Sequence, residues 1–150
     1  MRTSPERFAM RDAAGRALWK MAWDERADCI YDRRFRALVL LATFASLRWG
    51  EVTALTRADI DLKARTVRVR AAYVQRDSGP LVLGPPKSRA GRRTVGIPAA
   101  IVPDLEQHLA VYVKPEPGAL VFPGVKGSPI RRNNFRKLTG WPHIVEALGI

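Results

Sequence analysis

Cysteine is almost missing from this chain: Cys29 stands alone, so no intramolecular disulfide is available. A lone thiol fits the reducing cytoplasm and reads as a small core filler. Histidine is nearly as scarce, with only His108 and His143, and no Cys/His spacing resembles a metal-ligand set. No metal and no cofactor is therefore expected. Long apolar runs are also missing. The longest, Ala37 to Leu47, covers 11 residues, against the ~20 needed to cross a bilayer. The first 20 residues carry charge throughout and have no apolar core or small-residue cleavage site, which excludes a secretion signal. Acids are the last shortage. Fourteen Asp and Glu face 26 Lys and Arg, leaving a net charge of +12. Such an excess favours a polyanionic partner, nucleic acid before membrane.

What remains is a chain of 150 residues with 47% hydrophobic content, enough for one domain with a proper core. Residues 1–33 are rich in helix formers, and Leu18, Met21 and Ala22 share a face, but no clean period emerges. They read as a helical N-terminal extension. From Arg34 onward, "RFRALVLLATFASL" is apolar around its circumference, as a helix buried on most sides would be. Gly50 is its expected end. A short helix, "EVTALT", and a turn, "RADIDL", follow. "TVRVRAAYV" alternates apolar and basic residues with the period of a half-buried strand. "GPLVLGPPKSRAGRRTVGIP" reads as two strands around a turn, the first ended or pushed to an edge by Pro85 and Pro86. "AAIVPDLEQHLAVYV" reads as a helix starting near Ala99 or after Pro103, with His108 on its surface and "KPEPG" as its stop. A short apolar piece, "ALVFP", then leads to a basic helix near Ile130. The expected class is α+β, mainly helical, with helices around a small antiparallel three-stranded sheet.

The basic residues are clustered. Arg76, Lys87, Arg89, Arg92 and Arg93 share their stretch with one acid, Asp77. Lys126, Arg131, Arg132, Arg136 and Lys137 share theirs with none. A basic run is often only a solvated face. Two such runs, each beside Gly or Pro, also suit loops that grip phosphates.

Within this pattern, "LLATFASLRWGEVTALTRADIDL" resembles the first signature of the tyrosine recombinases, the phage-integrase family. The features are Ser46, where the family more often has glycine, then Leu47, Arg48, Glu51, Leu55 and the turn Asp59-Ile60-Asp61. "PPKSRAGRRTVGIP" is similar to the family's lysine-bearing β-hairpin, and "ALVFPGVKGSPIRRNNFRKL" to the segment leading into its later catalytic helices. The likeness covers residues 34–150, implying a catalytic domain there. These enzymes cut and rejoin double-stranded DNA through a phosphotyrosine link. The resemblance makes Arg48 a catalytic arginine that stabilises charge on the phosphate, a task suited to a permanently charged guanidinium. It makes Lys87 the proton donor to the departing oxygen, and Glu51 the support of Arg48. Arg89, Arg92, Arg93, Arg131, Arg132, Arg136 and Lys137 are the expected DNA contacts. On the residues alone, Arg48 also reads as a helix-end arginine paired with Glu51.

The family continues into a His-x-x-Arg helix and a tyrosine nucleophile. Neither follows in these 150 residues, which end at "WPHIVEALGI", and Tyr31, Tyr73 and Tyr112 read as packing residues. The expectation is an incomplete catalytic domain that touches DNA and does not cleave it alone. Two further partners follow from an incomplete domain: a second copy of the chain, and a full-length recombinase. The alternatives are a non-catalytic DNA-binding module and a degenerate gene product.

Overall fold

The computed structural model describes residues 33–86 and 89–148. The expected N-terminal helix, Cys29, Tyr31 and Lys87 lie outside the described residues.

A 3-10 turn, Arg33–Phe35, leads into α1 (Arg36–Phe44). Ala37, Leu38, Val39, Leu40 and Leu41 are all buried, so five consecutive side chains pointing around the axis all meet protein. The helix stops well before Gly50. Ala45 closes it and Ser46 turns into the left-handed region at φ 51. Leu47 drops back into the core, and a new short helix, α2 (Trp49–Thr53), begins with Arg48 as its N-cap. Gly50 serves packing instead. A Cβ there would lie 2.4 Å from the carbonyl oxygen of Tyr73, so only glycine lets α2 lie against that strand.

A 3-10 turn at Arg57–Asp59 follows, closed by the Asp59 carboxylate, which accepts from the Thr56 N–H at 2.9 Å and its hydroxyl at 2.8 Å. Five strands come next: β1 (Ile60–Asp61), β2 (Thr66–Val69), β3 (Ala72–Gln75), β4 (Leu81–Gly84) and β5 (Arg93–Gly96). β1, β2 and β5 form the three-stranded antiparallel sheet in that order, with Ile60 opposite Val67 and Val67 opposite Val95. The pairing departs from the sequence reading in two ways. "TVRVRAAYV" is two strands, because the chain leaves the sheet after Val69. Leu81–Gly84 does not pair with the arm beyond the prolines. It folds back on β3 as a separate hairpin, Tyr73 opposite Leu83 and Val74 opposite Val82. β5 instead joins β2, with Val69 opposite Arg93.

α3 (Val102–Tyr112) is preceded by a 3-10 turn over Ala99–Ile101 and carries proline in its first turn, where the missing N–H costs nothing. It ends at Tyr112, ahead of "KPEPG". Val121 and Phe122 enter the core, and α4 (Arg132–Thr139) closes on Gly140 at φ 65 before α5 (Trp141–Leu148). One hydrophobic cluster joins α1, β2, α3 and α4. Phe135 of α4 is its aromatic pivot, with ring centroids 5.5 Å from Phe35, 5.1 Å from Trp49 and 5.6 Å from Trp141.

Candidate functional site

The α2 segment is where the two basic stretches meet. Arg48 is exposed at its N-cap, with extended backbone at φ −71, ψ 154. Its backbone N–H donates to Glu51 Oε2 at 2.9 Å, satisfying one of the donors that a helix start leaves open. Among the described residues its guanidinium has no hydrogen-bond or ion-pair partner.

Glu51 is 3% exposed, too buried for a carboxylate without a counter-charge. That counter-charge comes from Arg93, at the start of β5. Its Nη1 donates to Oε1 at 2.9 Å and its Nη2 to Oε2 at 3.0 Å, a bidentate pair bridging 42 residues. The Arg93 fork holds the Glu51 carboxyl below the usual carboxylate range against the opposing effect of burial, helped by the Arg48 N–H and by both positive charges. Nη1 of Arg93 also donates to the Gly91 carbonyl at 3.2 Å, which fixes the end of the loop before β5. Gly91 lies close against Pro86, whose side chain a Cβ on Gly91 would meet at 2.3 Å. The sequence reading linked Glu51 to Arg48 through side chains. In the structure the link runs through the Arg48 backbone, and the side-chain partner is Arg93. A partner 42 residues away leaves no local spacing signal.

The other basic residues divide by environment. Arg89 and Arg92 are exposed just ahead of β5. Arg131 is half-buried and donates to the Gly79 carbonyl, bringing the tip of the β3–β4 hairpin to the start of α4. Arg132 lies over the Trp49 ring at 5.9 Å, one residue from Arg48. Arg136 and Lys137 are exposed on α4. Arg132 and Arg136 rim an apolar groove of about 420 Å³ floored by Leu38, Trp49, Phe135 and Trp141. α2 is therefore a hub: Glu51 ties it to the first basic stretch and Trp49 to the second.

Two other buried polar groups support the fold. Asp59 is 6% exposed. Burial pushes its carboxyl up, but Arg70 and Thr56 outweigh this and hold it below the usual range. His108 corrects the expectation of a surface position. It is 4% exposed, stacks near Phe122, and its Nε2 donates to the Val121 carbonyl at 2.7 Å, because a carbonyl can only accept. Among the described residues, no group of three or more His, Cys, Asp or Glu side chains is placed to hold a metal, and no helix is long and apolar enough to cross a membrane.

Comparison with known proteins gives a consistent picture. No family model matches the chain. A Mycobacterium tuberculosis protein described as a prophage phiRv2 integrase, found in two strains, is 43% identical over 91 residues. That alignment takes in 61% of this chain and 24% of the relative, so the chain spans about a quarter of the length of the curated relatives it matches. Among solved structures, the Tn1549 transposon integrase in complex with circular intermediate DNA aligns over 99% of this chain and 46% of that one, with a TM-score of 0.66 at 15% identity. The XerA recombinase aligns over 93% of this chain and 42% of that one, with a TM-score of 0.59 at 16% identity. The fold is thus that of an integrase-type domain, mixed helix and sheet with small antiparallel sheets. In sequence the chain is thus similar to part of a prophage integrase, and in fold to the Tn1549 integrase and the XerA recombinase.

Proposed function

We propose that this chain is part of an integrase catalytic domain that binds double-stranded DNA in the cytoplasm, with Arg48 set to contact the phosphate at the strand-exchange site. The observation that carries the reading is the α2 hub. Arg48 presents a guanidinium with no partner among the described residues, on a segment held from one side by the Glu51–Arg93 pair and from the other by Arg132 on Trp49. A charge that must meet developing negative charge works best when its mount is fixed beforehand. Lys87 is assigned as the proton donor to the leaving oxygen on the resemblance of "PPKSRAGRR" alone. Arg89, Arg92, Arg132, Arg136 and Lys137 are assigned to backbone phosphates, which position a duplex without reading its sequence.

Strand cleavage is not assigned to these 150 residues. His108 and His143 are not followed by arginine three positions on, and Tyr73 and Tyr112 belong to β3 and α3. Two measurements test the reading. Filter binding of a DNA duplex should weaken steeply as salt rises, and salt-independent binding would reject DNA as the partner. A nicked suicide duplex should give no covalent adduct with this polypeptide, and an adduct would overturn the inactivity.

A further inference from the structure

We infer that Arg93 is a positioning residue, holding Glu51 and through it the backbone seat of Arg48, instead of a contact to DNA phosphate. The argument starts from the carboxylate. Glu51 has two oxygens and three donors converging on them. Arg93 takes both oxygens with its planar fork, and the Arg48 N–H shares Oε2. A bidentate guanidinium fixes the plane of a carboxylate as a single point charge does not. That plane sets where the Arg48 N–H is received, and so the extended backbone from which the Arg48 side chain departs.

The other end of Arg93 is equally fixed. Its residue pairs with Val69 in the β2–β5 ladder, and its Nη1 also holds the Gly91 carbonyl. One side chain therefore connects the three-stranded sheet, the turn at Arg89–Gly91 and the start of α2. The arrangement also argues against a phosphate role. The guanidinium is already engaged with a carboxylate that is only 4% exposed on its side chain, and releasing it would strand a buried charge. Arg92, its immediate neighbour, is exposed and has no such commitment among the described residues. Neighbouring arginines thus divide the work: Arg92 faces solvent and Arg93 faces inward. That Arg48 meets a phosphate rests on the proposed function, whereas the hold of Arg93 on its seat does not.

The test compares Arg93→Gln, Arg93→Lys and Arg92→Gln in the full chain by two readouts. The first is hydrogen exchange at the Arg48 amide, referenced to the core amides of Leu40 and Leu41. A general loss of stability moves all three together, while loss of positioning moves Arg48 alone. Arg93→Gln should speed exchange at Arg48 about tenfold relative to the core. Arg93→Lys should give an intermediate value, because it restores charge without the fork, and it carries the test if Arg93→Gln fails to fold. The second readout is the slope of log affinity for a DNA duplex against log salt. Arg92→Gln should lower its magnitude by about 0.9, the loss of one phosphate contact. Arg93→Gln and Arg93→Lys should leave it unchanged. An Arg48 amide exchanging as in the parent, or a slope lowered by about 0.9 in Arg93→Gln, overturns the inference. If the parent shows no salt-dependent binding, the DNA reading fails, and the exchange readout still decides the role of Arg93.

Discussion

Ser46 sits at φ 51 between the buried helix α1 and Arg48. An L-residue pays roughly 1–2 kcal/mol for that left-handed conformation, and glycine does not. This gives a physical reason for the glycine often found there in the resembling family. Ser46→Gly should raise stability in urea melts by roughly 0.5–1 kcal/mol after the extra chain entropy of glycine is subtracted. Ser46→Val should lower it by about 1 kcal/mol or more, since a β-branched side chain tolerates positive φ poorly. Glu51 makes a prediction with a pH signature. Glu51→Gln loses the charge-assisted bonds to Arg93 and should cost about 1.5–3 kcal/mol near neutral pH. The folded carboxyl titrates below the ordinary 4.5, so its stabilisation is complete above that pH. It is lost as pH falls through the lowered folded value. The gap between parent and Glu51→Gln in denaturant titrations should therefore close on acidification below pH 4.5.

The elements show which features local pattern reveals. α1 was legible because five buried apolar residues in succession are rare outside a helix packed on most sides. Arg48 was expected to end that helix, whereas it stands exposed at the N-cap of the next one, α2. The break at Ser46 depends on a backbone angle that no residue there demands, so the first helix was expected to run on to Gly50, whereas it ends at Phe44 and the short helix already begins at Trp49. The strand pairing was hidden for a different reason. Pro85 and Pro86 mark where β4 must end, yet nothing local says whether β4 pairs forward or back. His108 looked solvent-facing because its partner, the Val121 carbonyl, comes from a segment beyond the helix. Burial pushes that imidazole below its ordinary 6.5, only partly offset by the bond to Val121. The neutral ring is the folded form, so its stabilisation is full above pH 6.5 and lost as pH falls through the folded value. His108→Phe should flatten the stability profile just below pH 6.5 in thermal melts. Phe135 tests α4 directly. It joins three aromatic rings at 5.5 Å or so each, and Phe135→Ala should cost about 3–5 kcal/mol, read from urea midpoints.

At the scale of the whole molecule, an excess charge of +12 does not translate into twelve phosphate contacts. Several cations are already committed within the fold: Arg36 to Asp104, Arg70 to Asp59 and Arg93 to Glu51. The exposed basic residues assigned to phosphates are Arg48, Arg89, Arg92, Arg132, Arg136 and Lys137. If each met one phosphate of a duplex, the log–log salt slope would reach about −5. Affinity would then fall by about 10³ between 50 and 200 mM salt. The division between committed and uncommitted arginines makes this more than a statement about net charge. Replacing Arg92 and Arg132 with glutamine removes two charges and should reduce the slope by about 1.8. Replacing Arg70 and Arg93 with glutamine removes the same two charges, but from residues whose partners are carboxylates, and should lower the melting temperature while leaving the slope in place. A net-charge mechanism would make the two double variants bind DNA alike. Equal slopes in filter-binding titrations would therefore show that DNA responds to the overall field of the protein, and unequal slopes that it responds to a surface organised around Arg48.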